Sequence, residues 1–247
     1  MELLQNTELP SFGIYGSEGD FGSFLRERLQ ESLPGVVVRS FDVHKASSHT
    51  EAEVMDCGIV VPTVPPFEMQ HVIPRVVSQM RRGSTLWDVC SVKMHLAQLL
   101  GGCILPDMGI SYLLTHPLFG RQSFVDNGNS LKDLEFAVCG HQMPEQTYST
   151  VISMLHATGL KIVEMTPEEH DSGPGVEQLI VQFQGIRHHR AGFELNGHNT
   201  HTRSAKHYYR AMQIVKNDGP LFEQIAKLNP FWPEAKRRLL AEYRKDD

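Results

Sequence analysis

The stretch from Phe12 to Asp42 constrains this chain more than any other. A short apolar run, Phe12–Tyr15, leads into Gly16-Ser17-Glu18-Gly19-Asp20-Phe21-Gly22. Phe21, Phe24, Leu25 and Leu29 then fall on one face at helical spacing. Gly35 ends that helix, and Val36-Val37-Val38 opens a second strand that closes near Phe41-Asp42. Strand, glycine turn, helix and strand within about thirty residues is the size of one βαβ unit.

The alternation continues downstream. Residues 57–61 read as a buried strand stopped by Pro62, and residues 67–80 as a helix. A strand over 84–89 and a helix over 92–100 follow. Residues 113–115 and 136–138 are strand-like, 148–158 helical, and 161–164 the last strand. Strands alternating with helices predict an α/β fold, a parallel sheet covered on both faces. The character then changes. Thr166-Pro167-Glu168-Glu169 is a helix start, with Thr as cap and Pro at the first position. Beyond it the pattern is helical only, best over 205–215, 220–228 and 233–243. We expect a first domain over residues 1–167 and a helical one over 168–247. Eighty residues are few for an independent core, so the second should pack on the first or on a second subunit.

Bulk properties narrow the partners. Net charge is −6, and the longest basic run is Lys236-Arg237-Arg238, so no nucleic-acid partner is expected. No apolar stretch approaches the roughly 20 residues needed to cross a bilayer. Met1-Glu2-Leu3-Leu4-Gln5 lacks the basic start and apolar core of a signal peptide, which predicts a cytoplasmic protein. Cys57, Cys90, Cys103 and Cys139 form no C-x-x-C pair and sit in or beside apolar segments, as free thiols would.

Four positions suggest chemistry. A dinucleotide pyrophosphate needs backbone amides at a helix N-terminus with no side chain in the way. Gly16, Gly19 and Gly22 supply this, flanked by Ser17, Asp20 and Phe21. The spacing is G-x-x-G-x-x-G, and in the usual G-x-G-x-x-G reading the first glycine is Ser17. Glu18 and Asp20 bring negative charge close, and a plain tight turn before a helix stands as the alternative. Asp42, at the end of the second strand, suits the ribose hydroxyls and favours NAD. Arg39 and Lys45 leave NADP open, and a turn role for Asp42 is the other reading. Ser91 lies just past a strand end, where a hydroxyl can orient a substrate oxygen; it reads equally as a helix cap. His116 also follows a strand. An imidazole with an ordinary pKa of about 6.5 can take the proton of an alcohol while hydride leaves its carbon. His170, His188, His189, His198, His201 and His207 show no metal-ligand pattern, and no metal is expected.

These segments resemble the prephenate/arogenate dehydrogenase family. The resemblance rests on the glycine turn, on Asp88-Val89-Cys90-Ser91-Val92-Lys93 (D-x-x-S-x-K), on His116-Pro117-Leu118-Phe119-Gly120 (H-P-x-x-G), and on Met165-Thr166-Pro167-Glu168-Glu169-His170-Asp171 (M-x-P-E-E-H-D). It implies a Rossmann-type parallel-sheet domain followed by an all-α dimerisation domain. It also implies oxidative decarboxylation of a cyclohexadienol, with NAD or NADP taking the hydride. By this resemblance His116 accepts the hydroxyl proton, Ser91 hydrogen-bonds that hydroxyl or His116, and Pro62 and Thr63 line the nicotinamide pocket.

Two positions depart from the family pattern. Gln182 stands where a substrate-facing His is expected, unless an insertion brings His188 there. Gln213 stands where an Arg grips a substrate carboxylate, with Arg210 one turn earlier. A neutral amide cannot replace a bidentate guanidinium–carboxylate pair at equal strength. The expectation is therefore prephenate or arogenate oxidation, with a modified ring alcohol as the alternative. A non-catalytic NAD sensor is a third reading, disfavoured by the retention of both Ser91 and His116. The first domain has no Tyr-x-x-x-Lys pair, which argues against an unrelated α/β dehydrogenase.

Overall fold

The computed structural model describes residues 10–192 and 219–244. By its internal contacts the chain divides into two units, Met1–Thr166 and Pro167–Asp247.

The first unit holds one seven-stranded sheet. Its strands are β1 (Phe12–Tyr15), β2 (Val38–Phe41), β3 (Ile59–Pro62), β4 (Thr85–Asp88), β5 (Ser111–Pro117), β6 (Glu135–Gln142) and β7 (Lys161–Glu164), in the order β2-β1-β3-β4-β5-β6-β7. The connecting helices are α1 (Asp20–Ser32), α2 (Glu51–Met55), α3 (Met69–Gln79), α4 (Lys93–Cys103), α5 (Arg121–Asp126) and α6 (Glu145–Ala157). Strands β1 to β5 are mutually parallel.

The expectation of a wholly parallel sheet needs one correction. Strand β6 runs antiparallel to β5, and β7 follows β6 in parallel. Between β5 and β6 lies only the six-residue α5, with irregular chain on either side. No crossover helix carries the chain back across the sheet, so it turns and pairs antiparallel. α6 supplies a full crossover between β6 and β7, which accordingly run the same way. The sequence also begins β2 too early: Val36 and Val37 precede the ladder, which starts at Val38.

Alternation along the strands builds two cores. Tyr15, Val60, Leu86 and Leu114 face α3 and α4, meeting Ile73, Val76, Leu96 and Leu100. Phe12, Ile14, Val61, Trp87, Leu113 and Phe136 face the other way, towards Leu29 of α1 and Leu155 of α6. Strands buried on both faces read as unbroken apolar runs, which is why the sequence located them. α2 lies so close to β1 that a Cβ at Gly13 would come within 2.3 Å of the Val54 carbonyl oxygen.

The second unit is helical among the described residues: α7 (Pro167–Ser172), α8 (Pro174–Arg190), α9 (Gly219–Leu228) and α10 (Trp232–Tyr243). Phe183, Phe222 and Trp232 form its aromatic centre, with ring centroids 5.5–6.3 Å apart. The expected helix over 205–215, with Arg210, Gln213 and the histidines at 198, 201 and 207, lies outside the described residues. No helix among those described is long and apolar enough to cross a membrane.

All four cysteines are free thiols; Cys57, Cys90 and Cys139 are buried and Cys103 is half-buried. Burial pushes the Cys90 thiol up to about 12, so almost none of it is thiolate near neutral pH. We expect iodoacetamide at pH 8 to label Cys103 first in the native protein. The other three should react only after denaturation, as peptide mass mapping would register.

Candidate active site

The parallel strands leave a crevice at their C-terminal edge between β1 and β3. There the chain's path across the sheet reverses, and open α/β folds of this kind bind ligands at such a point. The glycine turn follows β1, Pro62 and Thr63 end β3, Asp88 ends β4, and His116 and Pro117 end β5.

Backbone contacts shape the glycine turn. The amides of Gly16 and Ser17 donate to the Phe41 carbonyl at 2.8 and 3.2 Å, fixing the turn to the end of β2. Gly16 has φ +88°, where a side chain is strained. A Cβ at Gly22 would lie 2.4 Å from the Gly16 carbonyl oxygen and 2.7 Å from Thr63 Oγ1. Gly19 is different. It caps α1 with no side-chain hydrogen bond, and a Cβ there would meet nothing nearer than 3.4 Å. Protein packing therefore demands glycine at 16 and 22, while position 19 leaves open space at the start of a helix. That is the arrangement an anion needs. Ser17 is wholly buried, so its side chain does not stand over the turn.

The acidic residues near the turn are largely offset. Glu18 pairs with Arg26 at 2.7 Å, and Arg121 Nε lies 3.5 Å from the Asp20 carboxylate. Asp42 accepts the amides of His44 and Lys45 at 2.9 and 3.1 Å through Oδ1, and that of Glu18 at 3.3 Å through Oδ2. It holds the end of β2 against the turn, and Oδ2, with a single amide, retains capacity for a further donor. Lys45 Nζ donates to the Glu18 carbonyl at 2.7 Å. Thr63 Oγ1 donates towards the carbonyls of Tyr15 and Gly16, at 3.1 and 2.9 Å, tying β3 to β1.

Ser91 and His116 are set by a buried network that the sequence reading did not assign. Lys93 has no exposed surface and Asp88 almost none, and they form an ion pair. Lys93 Nζ also donates to the Thr115 carbonyl at 2.5 Å. Thr115 Oγ1 donates to the Asp88 carbonyl at 2.6 Å and accepts from Trp87 Nε1 at 2.9 Å. The Cys90 amide donates to Asp88 Oδ1 at 2.8 Å. The network binds the ends of β4 and β5, immediately before Ser91 and His116. The helix-cap reading of Ser91 is corrected: α4 starts at Lys93 with Val92 as its cap residue, leaving Ser91 one position outside. Ser91 is half-buried, whereas His116 is 7 % exposed. The available signal was an Asp and a Lys five apart in an otherwise apolar stretch.

Within the second unit, His170 and Asp171 are fully buried, with His170 Nδ1 2.8 Å from Asp171 Oδ1. Asn229 Nδ2 donates to the Asp171 carbonyl at 2.8 Å, and Asn229 Oδ1 accepts the Phe231 amide at 2.9 Å. A Cβ at Gly175 would come within 2.9 Å of Asn229 Nδ2. His170 and Asp171 thus help lock α7, α8 and the end of α9 together, and Asn229 is a residue the sequence reading missed. Gln182 is 4 % exposed with its Oε1 unpaired; Gln178, one turn earlier, also has a buried, unpaired Oε1. His188 lies six residues beyond Gln182 on α8 and is half-buried, on a different face. Among the described residues no group of three or more His, Cys, Asp or Glu could hold a metal ion.

A mostly parallel sheet with a glycine turn at its reversal point defines the Rossmann-type class of α/β folds. No family model matches the chain. A curated relative, the probable arogenate/prephenate dehydrogenase of Methanocaldococcus jannaschii, is 24 % identical over 92 % of this chain and 53 % of that protein. The chain thus spans about half the length of the curated relative it matches. Among the solved structures that share its fold are three described as dehydrogenases. Prephenate dehydrogenase from A. aeolicus, in complex with hydroxyphenyl propionate and NAD+, superposes with TM-score 0.71 at 15 % identity, over 98 % of this chain and 89 % of that one. Synechocystis arogenate dehydrogenase gives 0.65 at 16 %, over 96 % and 88 %. A putative prephenate dehydrogenase from Corynebacterium glutamicum gives 0.68 at 15 %, over 97 % and 80 %. The chain has the fold of these dehydrogenases and is similar in sequence to an arogenate/prephenate dehydrogenase.

Two substitutions probe this geometry. Replacing Lys93 with Met leaves Asp88 buried without its counter-charge and should cost about 3–5 kcal/mol of stability. The double change Asp88→Asn with Lys93→Met should recover part of that loss in urea unfolding. Gly22→Ala places a Cβ against a carbonyl oxygen and should cost about 1–3 kcal/mol, visible in the same assay.

Proposed function

We propose that this chain is an NAD(P)-dependent dehydrogenase that oxidatively decarboxylates prephenate or arogenate. The observation that carries this reading is the buried Asp88–Lys93–Thr115 network, which holds Ser91 and His116 at neighbouring strand ends on the sheet edge that also carries the glycine turn. A sensor has no need of a base and a hydroxyl fixed there.

Gly16, Gly19 and Gly22 with the start of α1 would hold the diphosphate, with Ser17, Asp20 and Phe21 around it. Asp42 would meet the adenosine ribose, and Pro62 and Thr63 would border the nicotinamide. The dinucleotide supplies a hydride acceptor for the ring carbon that carries the hydroxyl. His116 takes the hydroxyl proton, and Ser91 orients the oxygen by a hydrogen bond. As the ring C–O bond gains carbonyl character, the bond to the ring carboxylate breaks. Its electrons enter the ring, carbon dioxide leaves, and the phenolate oxygen that results takes the proton back from His116 to give a phenol. By the family resemblance Gln182 is the candidate for a substrate contact among the described residues, Arg210 and Gln213 lying outside them, and the chain would pair as a homodimer through residues 168–247.

A second reading has one observation in its favour. Gln182 is buried and neutral, with an acceptor oxygen that finds no donor. A modified cyclohexadienol or cyclohexenol carrying a donor at that point would suit it better than a second carboxylate.

The purified chain with NAD and either prephenate or arogenate should form NADH. His116→Asn should lower kcat by about 10²–10⁴-fold while leaving dinucleotide binding in place. Turnover unchanged in that variant, or no turnover with either substrate despite NAD binding, would overturn the assignment.

A further inference from the structure

One face of the sheet carries two long helices, α1 and α6, and the space between them is incompletely filled. A cleft of about 80 Å³ lies there, floored by Phe12, Trp87 and Phe136 and flanked by Leu25 and Met154. An enclosed apolar cavity that takes benzene measures about 150 Å³; this cleft is smaller but open on one side, so a ring can enter it with part of its surface left in solvent. Its walls are almost entirely apolar, and water there would find few partners.

Three polar residues, Arg28, Ser32 and Thr158, interrupt the apolar lining, and Arg28 is the charged one. Arg28 borders the cleft, and its Nε–H is buried with no acceptor. The rest of its guanidinium is engaged. NH1 and NH2 reach the Glu31 carboxylate at 2.5 and 2.8 Å, Glu27 lies 3.8 Å away, and the Phe124 ring centroid is 4.4 Å from Cζ. Glu31 matches the Arg28 charge directly, and Glu27 is paired with Arg121 at 2.7 Å, so two arginines and two carboxylates balance one another here. The Nε–H can still donate one hydrogen bond, but an anion would meet no unmatched positive charge to offset its lost hydration. A void and an orphaned donor each cost stability, and here a single occupant would relieve both.

We propose that this cleft is a binding site for a small neutral ring molecule bearing one hydrogen-bond-accepting oxygen. The ring lies on Phe12, Trp87 and Phe136, and the oxygen accepts from Arg28 Nε. The site is separate from the surroundings of His116. Side chains alternate along β5, so Pro117 borders the cleft while His116 faces the opposite side of the sheet. The proposal therefore stands independently of the dehydrogenase reading.

Three probes test it by NMR titration of the full chain: acetophenone (ring and acceptor), toluene (ring alone) and benzoate (ring and anion). Acetophenone should bind saturably, toluene about tenfold more weakly for want of one hydrogen bond, and benzoate more weakly still. Arg28→Met should bring acetophenone down to the affinity of toluene. Met154→Trp should fill the cleft and abolish both; if thermal melting finds that variant unfolded, Leu25→Phe serves the same purpose. Failure of acetophenone to saturate the folded protein would overturn the proposal. Equal binding to wild type, Arg28→Met and the filled variant would do the same.

Discussion

Lys93 is a fully buried lysine, and the placement of the chemically useful side chains follows from how its charge is met. A buried ion pair adds little net stability over apolar residues of the same shape, because each ion gives up its hydration. What the pair offers is fixed geometry. The ammonium bonds to Asp88 at the end of β4 and to the Thr115 carbonyl on β5, and the Thr115 hydroxyl returns to the Asp88 carbonyl. The two strand ends cannot slide past one another without exposing an unpaired charge. Ser91 and His116 inherit that rigidity from the residues just before them.

The glycine turn reaches a comparable rigidity by other means. Almost every contact that shapes it involves the backbone: Phe41 accepts two amides, Thr63 meets two carbonyls, and Asp42 accepts three amides. The side chains beside it serve chiefly to neutralise one another, as Glu18 does with Arg26. Electrostatics and shape are thus divided. Side-chain ions lock β4 to β5, while backbone bonds and missing side chains form the turn after β1.

Much of this was legible in the sequence, for identifiable reasons. Parallel strands buried on both faces give continuous apolar runs, so β1, β3 and β4 stood out. Strand direction did not. The reversal at β6 depends on what the chain between β5 and β6 fails to contain, and one six-residue helix leaves too faint a periodicity. α2 is five residues long and escaped for the same reason, although Thr50 and Glu53 form a capping box at its start. Ser91 and His116 could be placed at strand ends, yet the network that positions them pairs residues 22 and 27 apart, which local pattern cannot reveal. Gln182 was visible as a departure; its burial was not, since α8 mixes glutamine, arginine and histidine among its apolar residues.

The open start of α1 has a further consequence. Gly19 brings no side-chain oxygen to the first turn, so that helix lacks the stabilising cap a Ser or Asp would give. An anion that settles there supplies what the covalent chain omits, and it does so only in the folded state. Folding and occupancy are then linked by mass action. If the proposed dinucleotide binds there, the lifetime of the folded chain would become a function of ligand concentration, and a cell short of that ligand would hold less of the protein without changing its synthesis.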